Sequence, residues 1–208
     1  MAPRPPDTDE LIRRSAGGDE LARQDLLARH RDRLRRMIGV RLDRRLLARL
    51  DPSDVVQEVL VEAHVKLNDY LRDQPLPFYP WLRQTAWQRL LKIHQHHHAH
   101  KRRVTKEGPA VPDLPDESMG DLAERLAASG TSPSRHALRE ELRLRVRGAL
   151  GRLGERDREV LVLRYLEQLP LAEVAAVLGA SVGAVKARHA RALLRLQALL
   201  GDAGEGEG

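Results

Sequence analysis

Apolar residues recur along this chain at helical spacing, and no segment shows the two-residue alternation of a half-buried strand. The stretch Asp7–Gly17 predicts a first short helix, and Glu20–Leu50 predicts one or two more. On the latter, Leu26, Leu27, Leu34, Ile38, Leu42 and Leu46 recur at helical intervals. Asp51-Pro52-Ser53 starts another helix, since proline is tolerated in a first turn. It runs through Asp54–Tyr70, with Val55, Val59, Ala63 and Leu67 on one stripe. The loop DQPLPFYP follows, and from Trp81 to about Arg103 the pattern suits one long helix. Further on, Ser132-Pro133-Ser134 caps a helix to about Leu150. Glu155–Glu167, Pro170–Leu178 and Val182–Leu200 complete the series.

Between the two helical groups, Pro109, Pro112, Pro115 and Pro133 interrupt a stretch rich in Gly and Ser, whose front half cannot continue a helix. A short helix over DLAERLAA is compatible with the pattern. The predicted fold is therefore all-α, with two small helical domains joined by a flexible linker. Their bounds are 8–103 for the first domain, 104–131 for an acidic Pro/Gly linker, 132–201 for the second domain and 202–208 for a tail.

Charge sharpens this division. Residues 1–103 carry 21 Lys and Arg against 14 Asp and Glu, a net +7; residues 104–134 carry 2 against 6, a net −4. Residues 135–201 return to +6, with 13 against 7, and the tail adds −3. Two basic blocks around an acidic spacer suit a polyanionic partner, although solvated arginine-rich helix faces would give the same totals. With no cysteine there is neither a disulfide nor a thiolate metal site. Aromatics are only 3% of the residues, so the cores must be built from Leu, Val and Ala. No apolar run approaches the ~20 residues of a membrane span, and MAPRPPDTDE lacks the apolar centre of a signal peptide. The expectation is a cytoplasmic protein without membrane contact.

The sharpest local signal is PLAEVAAVLGASVGAVKARHARALLRL, residues 170–196. Ala175 is small where two helices must approach, Gly179 permits a left-handed turn, and Ser181 can cap the next helix. Val174, Leu178, Val182 and Val185 are expected to close the inner face. This pattern predicts a helix-turn-helix whose second helix enters the major groove. Ser181, Gly183, Ala184, Lys186, Ala187, Arg188, Arg191 and Arg195 would then lie toward DNA, the short side chains near base edges and the later arginines near phosphates. An ordinary helical hairpin with a basic face is the plainer alternative.

The stretch LLKIHQHHHAHKRRV places five histidines before Lys101, Arg102 and Arg103. His94/His98 and His96/His100 have chelating i, i+4 spacing, but on a helix the two pairs lie about 200° apart and cannot complete one tetrahedral site. His94, His97 and His98 share a face, yet no carboxylate or cysteine stands near to complete or orient a metal. No metal or other cofactor is therefore expected. Nucleic acid fits better: imidazoles can donate to phosphate or stack on bases, and Trp87 offers an aromatic surface to an unstacked base. Neither a phosphate-binding loop nor a nucleophile with a base is evident, so an enzyme is not expected.

Three motifs, in order, resemble bacterial sigma factors of the extracytoplasmic-function (ECF) type, particularly the planctomycete-like group. Asp54-Val55-Val56-Gln57-Glu58 is similar to the family stretch that docks on core RNA polymerase. Phe78-Tyr79-Pro80-Trp81-Leu82 is similar to the entry of the helix that melts the −10 element. LGERDREVLVLRYLEQLPLAEVAAVLGASVGAVKARHARALLRL is similar to the domain that reads the −35 element. The resemblance covers about 8–103 and 132–200. It departs from the usual pattern at Gln88 and Lys92, where the family has Asn and Asp, and at His189 and Gly154, where it has Leu and Pro.

The resemblance implies polymerase binding by Asp54, Gln57 and Glu58. It implies −10 contacts by Phe78, Arg83, Trp87, Gln88, Lys92, His94, Lys101, Arg102 and Arg103, with the loop Asp69–Pro80 as the pocket for a flipped base. It also implies −35 contacts by the helix after Ser181. The expected partners are core RNA polymerase and promoter DNA, and the family adds anti-sigma factors as a further class of partner. Two rival readings are a helix-turn-helix regulator that shares only residues 170–196, and a His-rich metal-binding protein. The first leaves Asp54-Val55-Val56-Gln57-Glu58 unexplained.

Overall fold

The computed structural model describes residues 7–42, 44–99, 114–128 and 136–202, and every regular element among them is helical. They fall into two compact units, 1–113 and 114–208.

The first unit contains α1 (Thr8–Ala16), α2 (Glu20–Arg29), α3 (Arg31–Arg41), the short α4 (Arg44–Leu47), α5 (Pro52–Asp73) and α6 (Phe78–Ala99). Asp7, Asp19 and Asp51 cap α1, α2 and α5, each accepting a backbone N–H of the first turn with its carboxylate. Pro52 opens α5 as the sequence predicts. Helices α3, α5 and α6 pack on one another, and α1 and α2 close over α5. The core is aliphatic, made from Leu34, Met37 and Ile38 of α3, Val55, Val59, Ala63 and Leu67 of α5, and Leu82, Ala86 and Leu90 of α6.

One end of this core is aromatic. Tyr70 meets Phe78 edge-on at 5.2 Å and Trp81 at 4.5 Å between ring centroids. His30, at the junction of α2 and α3, lies 5.3 Å from Phe78 and 5.6 Å from Tyr79. The Tyr70 hydroxyl donates to the Leu76 carbonyl at 3.1 Å, and burial pushes its pKa up to about 12, so it remains a donor. These contacts tie down a connection shorter than the expected loop Asp69–Pro80. Helix α5 continues to Asp73, Gln74 closes it at φ 38°, and α6 begins at Phe78 with Pro80 in its first turn.

The second unit begins earlier than the sequence suggests. Helix α7 (Asp116–Ala128) occupies most of the back half of the expected linker, and it packs against α8 (His136–Arg152). Pro115 precedes it and Leu122, Ala123 and Ala127 are buried. The apolar stripe of DLAERLAA thus belongs to this unit's core, and the linker bounds 104–131 are corrected accordingly. Helix α9 (Glu155–Leu161) then passes into a π-helical turn over Val162–Leu166, where Glu167 N–H donates to the Val162 carbonyl at 3.0 Å. Helices α10 (Leu171–Leu178) and α11 (Val182–Asp202) complete the unit, and α11 packs on α8, α9 and α10.

Candidate functional site

Most of the residues expected to make contacts, among those described, fall on three helix faces. The first is on α5. At ~100° per residue, the buried residues Val55, Val59, Ala63 and Leu67 define one side of the helix, and Asp54, Gln57, Glu58, Val61 and Val65 share the opposite side. Asp54, Gln57 and Glu58 are exposed there, and Glu58 forms an ion pair with Arg89 of α6. Sequence reasoning missed the two valines, which are 65% and 74% exposed. Their position off the apolar stripe was the available signal. Being one turn apart, the two valines form a small apolar spot within the polar face of α5.

The second face is on α6. Gln84, Gln88, Lys92, Gln95 and His96 are exposed and lie within about one-third of the helix circumference, with Trp87 half-buried at its edge. Gln88 and Lys92, expected at the −10 element, are thus exposed on one face, and Trp87 has part of its side chain exposed. Phe78, Arg83 and His94 are buried instead. Phe78 is buried among His30, Tyr70 and Trp81 and has no face left for a base. Arg83, Trp87, Leu90 and His94 form one stripe turned toward α3, one of the two helices on which α6 packs. Arg83 is buried with its guanidinium 5.7 Å from the Trp87 centroid, and Arg41 of α3 lies 5.2 Å from the same ring.

His94 is only 8% exposed, and its Nε2 lies 3.2 Å from the Arg41 carbonyl. Donation from Nε2–H to that carbonyl gives the residue a structural role, so the expectation that it faces DNA is corrected. The side chains of His97, His98 and His100, and the whole of Lys101, Arg102 and Arg103, lie outside the described residues.

The third face is the helix-turn-helix. Gly179 adopts φ 60°, as the turn demands, and the Ala180 N–H donates to the Ala175 carbonyl at 3.0 Å, closing α10. Ser181 Oγ accepts the Ala184 N–H at 3.1 Å and caps α11. Val174, Ala175 and Val185 are buried as expected. Val182 is not, since it lies at the mouth of the turn, 40% exposed, and Leu178 is only half-buried.

Gly183, Ala184, Lys186, Ala187 and Arg191 are exposed along α11, and Arg188 is half-buried at the edge of the same face. Small side chains at the helix start and cations further along suit entry into a groove. Arg195 is committed elsewhere, in an ion pair with Asp157 of α9. His189 turns inward and stacks on Tyr165; burial, then the nearby Arg164, hold its pKa below the ordinary value.

Known proteins share this arrangement. Residues 149–198 match the family model of Sigma-70, region 4, which spans the helix-turn-helix and the helices that support it. The RNA polymerase sigma factor CnrH of Cupriavidus metallidurans is 33% identical over 202 residues, covering 94% of this chain and 96% of that protein. The ECF RNA polymerase sigma factor ShbA of Streptomyces griseus is 31% identical, over 91% and 93%. The ECF RNA polymerase sigma-E factor of Escherichia coli is 28% identical, over 89% and 90%. A solved structure of CnrH in complex with the cytosolic domain of CnrY aligns with a TM-score of 0.51 at 29% identity, covering 94% of this chain and 99% of that one. A regulator sharing only residues 170–196 would not match over the whole length. With one relative a third identical almost end to end, the chain belongs to the ECF RNA polymerase sigma factor family.

Proposed function

We propose that this sigma factor docks on core RNA polymerase through the outer face of α5, with Asp54, Gln57 and Glu58 as polar contacts and Val61 and Val65 as the apolar centre. The observation that carries the reading is the exposure of those valines within a polar stripe directly opposite the buried side of α5. A solvated helix face would place polar side chains there.

The first unit then receives the −10 element on Gln88, Lys92 and the edge of Trp87, and the basic run Lys101, Arg102 and Arg103 of the sequence adds to these contacts. The second unit reads the −35 element with Ser181, Gly183, Ala184, Lys186, Ala187, Arg188 and Arg191 of α11 and its cap. The protein acts in the cytoplasm by recognition and has no chemistry of its own. Within the family, our reading of the three motifs is that they resemble the planctomycete-like group most. By analogy with CnrH, solved together with the cytosolic domain of CnrY, an anti-sigma factor is a further partner.

The docking reading is tested with Asp54→Arg and Val61→Arg in affinity measurements on core polymerase, with helicity checked by circular dichroism. Each change falls on an exposed face, so folding should be preserved. Each should weaken association about tenfold or more, as expected when a charge is forced into a contact. Core binding equal to that of the wild type in both variants would reject the α5 surface.

A further inference from the structure

Helix α7 lies outside the residues that match region 4, in a stretch whose composition suggests a spacer. It nevertheless reaches the π-helical turn. Near its C-terminal end, Arg125 donates from Nη1 to the carbonyl of Tyr165 at 2.9 Å. That carbonyl belongs to the segment Val162–Leu166, where the i−5 bonding of the π turn has shifted the backbone out of the α-helical ladder. The Tyr165 ring then stacks on His189 of α11, with centroids 5.7 Å apart and planes 25° from parallel. Among the described residues, His189 Nε2 is buried without a hydrogen bond. On α11, His189 sits between Lys186 and Arg191 in sequence, at the rim of the buried face.

We propose that α7 is a strut for the recognition helix: Arg125 is a positioning residue that fixes Tyr165, and Tyr165, through His189, sets the rotation at which α11 presents Lys186 and Arg191. The inference rests on the −35 reading of α11 and adds to it a working part in the supposed linker. Magnitudes favour positioning over stability. Burial of Leu122, Ala123 and Ala127 is sufficient to hold α7 in place, whereas a single bond from an exposed arginine adds little to folding. The value of the Arg125 bond therefore lies in where it acts, on the backbone of the residue whose ring stacks on His189 of the recognition helix.

The test uses the full chain with Arg125→Ala, Arg125→Lys, Lys186→Ala and Arg191→Ala. Two quantities are measured: affinity for a DNA duplex selected by the wild type from a randomised pool, across a salt series, and titration of the His189 imidazole by NMR. Arg125→Ala should bind about fivefold more weakly, as it would if only about one-fifth of the free protein kept α11 at the binding rotation. Its salt dependence should be unchanged, because no phosphate contact is lost, whereas Lys186→Ala and Arg191→Ala should flatten it. In Arg125→Ala, His189 should titrate nearer its ordinary value, and Arg125→Lys, which still donates to the carbonyl, should restore both readouts in large part. An unmoved His189 titration overturns the strut. So does unmoved duplex affinity in Arg125→Ala when Lys186→Ala weakens binding. If Lys186→Ala and Arg191→Ala both leave affinity unchanged, the −35 reading fails and the proposed effect on DNA reading falls with it, while the titration still decides whether Arg125 controls His189.

Discussion

Lowering the pH from about 7.5 to about 5 should remove ~2 kcal/mol of stability from the first unit through His30 alone. The ring is 5% exposed, sits against Phe78 and Tyr79, and neither nitrogen has a hydrogen-bond partner among the described residues. Burial, then the positive charge of Arg33 and Arg29, pushes its pKa from 6.5 down to about 4. The unfolded chain therefore binds more protons than the folded one between these values. The contribution is fully present above 6.5, declines as pH falls through the window, and is lost below about 4. Each tenfold difference in proton affinity is worth about 1.4 kcal/mol, so the full loss is ~3 kcal/mol, of which ~2 is reached at pH 5.

Urea unfolding followed by tryptophan fluorescence isolates the effect, because the chain's two tryptophans, Trp81 and Trp87, both lie in the first unit. His30→Phe keeps a ring of similar size in an aromatic site and has nothing to titrate. Asp19, held low first by the Ala22 N–H and then by Arg14, and Asp51, held low by Ser53, titrate below this window and are common to both proteins. The wild type should lose ~2 kcal/mol more than His30→Phe between the two pH values. Parallel losses would refute a buried neutral imidazole at this position.

His94→Gln should lower the stability of the first unit by ~1–3 kcal/mol, since it perturbs a buried contact to the Arg41 carbonyl; His96→Gln, on the exposed face, should change it by no more than ~0.5 kcal/mol in the same urea assay. Arg191→Ala should weaken DNA binding across all sequences and reduce the salt slope by about one unit, whereas Lys186→Ala, nearer the helix start, should also alter preference at one or two positions of a randomised −35 duplex.

The helices themselves were legible because their signals are local. Asp51-Pro52 opens α5, Gly179 and Ser181 shape the turn, and Val55, Val59, Ala63 and Leu67 give the buried stripe, all from residues within a turn or two of one another. Helix α7 was only half legible. The apolar spacing of DLAERLAA gives a helix, but its place in the second unit depends on packing against α8 and the π turn, which its own residues do not specify. The π turn was not legible because it falls at the end of the continuous apolar run Val160-Leu161-Val162-Leu163, buried on every side, where a one-residue shift of register moves no polar residue inward.

The histidine tract shows why residue type is a poor guide to which face of a helix meets a partner. His94 looks polar and therefore outward, yet the backbone carbonyl of Arg41 satisfies it inside, and no local pattern announces an acceptor 53 residues away. Arg83 is similarly drawn inward beside Trp87. A polar residue can be buried wherever the fold supplies a partner, so its polarity leaves its direction open. An apolar residue on the polar side of a helix is more informative. Val61 and Val65 lie one turn apart on the polar side of α5, where their exposure is readable from their place off the buried stripe, and the docking proposal makes use of that. For this sigma factor, the exposure of Val61 and Val65 follows from their place off the apolar stripe of α5, whereas the burial of His94 depends on a carbonyl that its own helix does not supply.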